Sequence, residues 1–156
     1  MLRALMFAVA LAATAAPAAA LDGPLDLIGS LYRLPGGLDS AELADAYLAR
    51  DAAAAYKGQL GADEPKPATG FDWRHNAQDG AITDLTVTGP IASEERGGIP
   101  FVKVVASFRR DGVEDAVSYT LCLGPAGWRV SDAANLGADP WALRSLLDLP
   151  AEASRC

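Results

Sequence analysis

The chain has few of the side chains from which catalytic and metal centres are usually built. Its 156 residues include one histidine and two cysteines, a supply that disfavours a structural zinc site. The sequence also lacks the G-x-S-x-G turn that presents a catalytic serine and the G-x-x-x-x-G-K loop that binds phosphates. We therefore expect no cofactor and no metal, and we assign no catalytic residue.

The single histidine, His75, has Asp72 and Asp79 as sequence neighbours. A nucleophilic centre needs a nucleophile held by a base, and no serine or cysteine is presented beside this imidazole. A metal held by Asp72, His75 and Asp79 is chemically feasible, but three such ligands in one loop are common by chance. We expect His75 to form hydrogen bonds at the surface or within its loop.

Long apolar runs are confined to the beginning of the chain. Arg3 gives a positive start, residues 4–16 are apolar but too few to span a bilayer comfortably, and residues 18–20 are alanines. This pattern predicts a signal peptide over residues 1–20 and one mature domain over residues 21–156. The alternative is an uncleaved anchor or a buried helix. A periplasmic or secreted protein without stable membrane insertion is expected.

Basic residues are in the minority, with 13 Lys and Arg against 20 Asp and Glu. Cleavage after residue 20 would remove Arg3 and no acid, which gives the mature domain a net charge of −8. Such a surface repels nucleic acid and anionic lipid, so a nucleic-acid partner is not expected.

The two cysteines are Cys122 and Cys156. Export would place them in an oxidising compartment, where a pair tends to form a disulfide. The alternative is a buried strand thiol and a separate free one, because sequence spacing does not give the distance between the two Cα atoms.

A two-residue hydrophobic period over residues 99–132 predicts three antiparallel strands. Asp111-Gly112 suits a tight primed turn, and residues 124–127 form the second turn. A further strand is predicted over residues 81–92, with a surface turn over residues 94–98.

Helical signals flank these strands. A first helix is predicted from Leu21 to Leu34, capped by Asp22 with Pro24 in its first turn. A second starts at Asp39 and runs unbroken to Gly58 or Gly61, with one stripe that carries Leu43, Tyr47, Asp51 and Ala55. A last helix opens at Asp139-Pro140. Helices separated from strands indicate an α+β fold with a curved sheet of about four strands and the N-terminal helices on its concave face.

Candidate binding residues come from two places. Tyr32, Tyr47 and Asp51 are helical side chains that could line a cleft. The alternative for the tyrosines is a place in the core, and the alternative for Asp51 is that it pairs with a nearby arginine or caps a loop. The others belong to a polar loop over residues 71–80: Trp73, His75, Asn76, Gln78 and Asp79. Gln78 and Asp79 have an equally good structural explanation, since such side chains satisfy loose backbone groups in loops.

Four short stretches resemble one known family. They read LIGSLYR (27–33), NAQD (76–79), GWRVSDA (127–133) and WALRSLL (141–147). Together they resemble the DUF3828 family of bacterial exported proteins, which belongs to the NTF2-like, or cystatin-like, superfamily. The resemblance implies a cone-like α+β fold and export, and it carries over no catalytic residue. Gly80 departs from the family, which often has an aromatic residue after Gln-Asp.

Three functional hypotheses follow. The first is a non-enzymatic envelope protein that binds a protein or a small ligand. The second is an enzyme of the isomerase or dehydratase type, with Asp51 and Tyr32 or Tyr47 in the cone of the sheet. The third is an inhibitor or immunity protein that acts through the polar loop.

Overall fold

A computed structural model describes residues 23–77, 81–135, 137, 139–151 and 155–156. The predicted signal peptide and the predicted cap Asp22 lie outside these ranges. In the described part of the chain, no helix is long and apolar enough to cross a membrane.

The architecture is α+β, as the sequence predicts, with an open antiparallel sheet of five strands in the order β1-β2-β3-β4-β5. The elements in chain order are α1 (Pro24–Tyr32), α2 (Ala41–Tyr47), α3 (Arg50–Gln59), β1 (Ile82–Arg96), β2 (Ile99–Arg110), β3 (Val113–Gly124), β4 (Gly127–Asn135), β5 (Trp141–Ala142) and α4 (Leu143–Leu146).

One face of the sheet carries the hydrophobic core. Side chains alternate along each strand, so Val104 and Ala106 of β2 lie on the same face as their β3 partners Tyr119 and Val117. All four are buried, and they form one cluster with the three apolar residues that α1 buries: Leu27, Ile28 and Leu31. Helix α1 therefore covers this face.

The prediction of about four strands was wrong, because the chain after Asp139-Pro140 does not start a helix. Trp141 and Ala142 pair with the end of β4 as the short strand β5. Helix α4 follows with only four residues. Its backbone N–H at Arg144 donates to Asp132 Oδ1 over 3.0 Å, so a residue of β4, distant in sequence, helps to place its start.

The predicted second helix is two helices, and the break between them is a tertiary effect. Leu48 pairs in parallel with Val130 of β4, and the N–H of Ala49 donates to the Val130 carbonyl over 2.8 Å. Two extended residues thus add to the sheet edge and separate α2 from α3. Ser40, rather than Asp39, caps α2 by accepting from the Leu43 N–H.

The hairpin turn at Asp111-Gly112 is confirmed. These two residues have φ values of 52° and 80°, the positive angles that a primed turn requires. The turn predicted over residues 94–98 was too long, because β1 runs to Arg96 and only Gly97-Gly98 makes the turn.

The opposite face of the sheet carries a small second cluster. Cys122 packs there with Ala49 and Phe101. A disulfide joins Cys122 to Cys156, with the two Cα atoms 6.1 Å apart. The sequence left open whether the two cysteines form a disulfide or remain separate thiols, and in the structure they are bonded.

Candidate functional site

A groove of about 880 Å³ lies beside the polar loop. We call it the polar-loop groove. Three segments bound it: residues 34–39 between α1 and α2, residues 59–65 from the last residue of α3 onward, and residues 69–75. Among its aromatic residues, Phe71 is partly exposed whereas Tyr56 and Trp73 are buried, and Asp39, Asp63 and Glu64 are exposed carboxylates.

The guanidinium of Arg74 holds two of these segments together. It is buried and meets Asp72 through two bonds, Nε to Oδ1 at 2.9 Å and Nη2 to Oδ2 at 2.6 Å. Its Nη1 donates to the carbonyls of Leu31 and Leu34 at the end of α1. The Leu31 carbonyl also accepts from the Leu34 N–H over 3.3 Å, so Arg74 adds to the capping at the end of α1 and ties the polar loop to it.

Gly37 makes this packing possible. Its φ of +80° is a left-handed conformation, and a Cβ atom at this position would lie 3.2 Å from Arg74 Nη2. A larger residue would strain the backbone and push against the guanidinium.

Two tyrosines form a chain of hydrogen bonds beneath the groove. Tyr119 donates its hydroxyl to Tyr32 over 2.9 Å, and Tyr32 donates to the Arg74 carbonyl over 2.6 Å. Burial raises the pKa of both phenols. Their hydroxyls are therefore neutral structural groups, and Tyr32 is engaged by the protein itself.

His75 lines the groove directly. Its Nδ1 lies 3.3 Å from Asp72 Oδ2, and its ring centroid is 5.8 Å from that of Tyr32. Burial lowers the pKa of this imidazole, and the opposing effect of the Asp72 carboxylate is smaller. The neutral form is thus favoured.

Trp73 is almost fully buried, and its ring lies 6.3 Å from that of Tyr119. It borders the groove while it packs in the core.

Asn76 has a structural role in the polar loop. It adopts a φ of 51°, accepts from the Trp141 indole N–H over 2.6 Å and donates to Asp115 over 3.0 Å. These bonds attach the loop to β5 and β3.

Asp51 lies in a different region. Its Oδ2 pairs with Nη2 of the buried Arg144 over 2.8 Å, and its Oδ1 accepts from the Ala52 N–H. Arg144 Nε donates to the Pro150 carbonyl over 2.6 Å. The pairing of Asp51 with an arginine, one of its two sequence-based interpretations, is the one observed.

The structure does not gather the candidate residues into one centre. Trp73 and His75 border the groove, Tyr32 lies behind His75, and Asn76 faces Trp141. Tyr47 packs at the margin of the core, and the break after α2 separates it from Asp51. Gln78 and Asp79 lie outside the described residues.

Sequence reasoning missed Arg74, Arg144 and Tyr119. A signal existed for Arg144, a charged residue within the otherwise largely apolar stretch WALRSLL. Arg74 had a weaker signal. It lies two residues after Asp72, the spacing at which an Asp side chain accepts a hydrogen bond from the backbone in an Asx turn.

Among the described residues, no group of three or more His, Cys, Asp or Glu side chains is arranged to hold a metal ion. No family model, no curated protein and no solved structure matches the chain.

Proposed function

We propose that this chain is an exported, periplasmic or secreted protein with an NTF2-like fold that binds a small ligand or a segment of a partner protein without catalysing a reaction. The binding site is the polar-loop groove. The observation that carries the proposal is the groove itself: about 880 Å³, with two of its three bounding segments held together by the buried Arg74. A preorganised concave surface loses little entropy when a ligand binds.

Two further observations favour binding over catalysis. Asp51, the best sequence candidate for a catalytic base, is held in an ion pair with Arg144 at 2.8 Å. Phe108 and Tyr119 are buried in the core on the face covered by α1, where a catalytic cone would need open space. A general base must reach a substrate proton, and these contacts oppose that role for Asp51 and the tyrosines.

The test is a fragment screen on ¹⁵N-labelled protein over residues 21–156, read by backbone amide shifts. We expect hits to move amides of residues 34–39 and 59–75. Ala62→Trp fills the groove from an exposed position and should abolish these shifts, whereas Ala54→Trp, exposed on α3 outside the groove, should leave them intact. Hits that map elsewhere, or that survive Ala62→Trp, would contradict the proposed site.

Catalysis has its own test. Turnover of any screened substrate that is lost on Asp51→Asn, with the fold retained, would replace binding by an enzymatic function. Binding alone predicts no such turnover.

Export is tested by expressing residues 1–156 in a bacterial host and measuring the mass of the protein in the periplasm. The expected mature chain begins at Leu21. Ala20→Arg should block cleavage, because signal peptidase needs a small residue there. A full-length protein retained in the cytoplasm would contradict the proposal.

A further inference from the structure

His75 presents its Nδ1 atom to a carboxylate. The Asp72 carboxylate is held by two bonds from Arg74 and lies 3.3 Å from Nδ1 of the imidazole. An ionised carboxylate only accepts hydrogen bonds, so the proton of a neutral imidazole is favoured on Nδ1, the nitrogen that faces it. The other nitrogen, Nε2, is then an acceptor.

Nε2 has no hydrogen-bond partner among the described residues. The one buried side-chain atom without a partner in that part of the chain is Nε of Arg110, so the ring nitrogens of His75 are not sealed from solvent. His75 borders the polar-loop groove, and we place this accessible acceptor at the edge of the space that a ligand would occupy.

The groups around the imidazole keep it neutral. The Tyr32 ring of α1 lies 5.8 Å from the imidazole at a tilt of 32°, the Arg74 guanidinium lies nearby, and the Asp72 carboxylate faces Nδ1. Burial and Arg74 both lower the pKa of His75, against a smaller opposite effect of Asp72. An uncharged ring with one free acceptor is the result.

We infer that His75 is the residue that selects ligands in the polar-loop groove, and that it selects those with an N–H or O–H donor attached to a ring. The ring would lie against Phe71, the partly exposed aromatic side chain of the lining, and the donor would meet Nε2. The inference rests on the proposed binding function and adds the chemical class of the ligand.

The tautomer is measured first, without any ligand. His75 is the only histidine, so long-range ¹H–¹⁵N spectra of the ring are free of overlap. We expect Nδ1 to carry the proton near neutral pH, and Asp72→Asn to change the tautomer ratio. A ring protonated on Nε2 would overturn the inference while leaving the proposed function standing.

Matched probes then test the selection. Indole and phenol carry a ring donor, whereas N-methylindole and anisole have the same rings without one. We expect the donors to bind at the groove about fivefold more tightly than their methylated partners, the effect of one hydrogen bond. Indole binding should weaken as pH falls through the His75 pKa measured in the same titration, because a protonated Nε2 no longer accepts.

Two variants separate the acceptor from the ring. His75→Phe keeps a ring and should remove the preference for indole, whereas His75→Gln supplies a side-chain carbonyl and should restore part of it. Equal binding of indole and N-methylindole to the native protein would overturn the selection by His75 but not the groove. If no probe moved groove amides while the tautomer was as expected, this ligand class would fail, whereas the proposed function would fail only if the wider fragment screen also gave no hits in the groove.

Discussion

Asp51 and Arg144 form an ion pair between α3 and α4, with 2.8 Å between Oδ2 and Nη2 and with the arginine side chain 1 % exposed. Arg144 also donates to the Pro150 carbonyl. One guanidinium thus connects two helices and the segment that follows α4.

Arg144→Met should lower the free energy of unfolding by about 3–5 kcal/mol, because it leaves the Asp51 charge without its partner in a mostly buried place. Urea unfolding followed by circular dichroism measures the loss. Arg109→Met is the control, since Arg109 and Glu114 lie 3.9 Å apart at the surface and their pair should contribute about 0–1 kcal/mol. A double variant, Asp51→Leu with Arg144→Met, should be less destabilised than the sum of the two single ones. Additive losses would contradict a coupled pair.

Tyr119→Phe tests the hydrogen bonds beneath the groove. It removes the donor to Tyr32 and should cost about 1 kcal/mol of unfolding free energy, the typical net contribution of one buried hydrogen bond. Tyr47→Phe is the matched control at the margin of the core and should change stability by no more than about 0.5 kcal/mol. Equal effects of the two substitutions in thermal melts would show that the Tyr119 hydroxyl contributes nothing.

The pH dependence of stability should carry a contribution from His75. Its pKa in the folded protein lies below the ordinary value of 6.5, so the unfolded chain takes up the proton first as pH falls. The free energy of unfolding should therefore decrease as pH drops below 6.5 and level off below the folded-state pKa. Urea titrations at closely spaced pH values should lose this slope in His75→Phe. A slope of the opposite sign would mean that Asp72 raises the pKa more than burial lowers it.

Gly89 should tolerate no side chain. It has a φ of +141°, and a Cβ atom would lie 3.0 Å from Val104 Cγ1 and 3.1 Å from the Lys103 carbonyl oxygen. Gly89→Ala should destabilise by about 1–3 kcal/mol through strain. Gly58→Ala is the opposite case, because its site in α3 has open space, and it should stabilise by roughly 0.5–1 kcal/mol. Similar melting temperatures for both variants would contradict the close contact at Gly89.

The disulfide gives a fifth prediction. Replacing both Cys122 and Cys156 by alanine should cost about 2–4 kcal/mol, mainly because the unfolded chain gains freedom. The native protein should lose a comparable amount when it is unfolded in the presence of a reductant, and the double variant should not respond to the reductant. Two free thiols in a native thiol assay would contradict the bond.

Local features were predictable where local sterics decide them. The alternation in β2 and β3 and the turn at Asp111-Gly112 follow from side-chain direction and from the φ angles that Asp and Gly tolerate. The separation of helical signals from strand signals along the chain was enough to indicate an α+β fold.

The candidate site was less predictable. His75 was singled out as the only imidazole, but its environment depends on Asp72, Arg74 and Tyr32, of which the tyrosine is distant in sequence. The carbonyls of Leu31 and Leu34 that Arg74 satisfies are likewise about forty residues away, and no spacing rule brings them together.

The sequence by itself determined the strand alternation, the tight turns and the acidic balance, since each depends on neighbouring residues or on composition alone. Only the tertiary structure decided that the chain leaves the helix at Leu48-Ala49 to pair with β4, that Asp51 meets Arg144, and that a groove opens beside His75. The physical reason is the separation along the chain of the groups that interact. Backbone sterics act between neighbours, whereas a hydrogen bond to a sheet edge or a buried charge pair needs the fold to bring distant groups together.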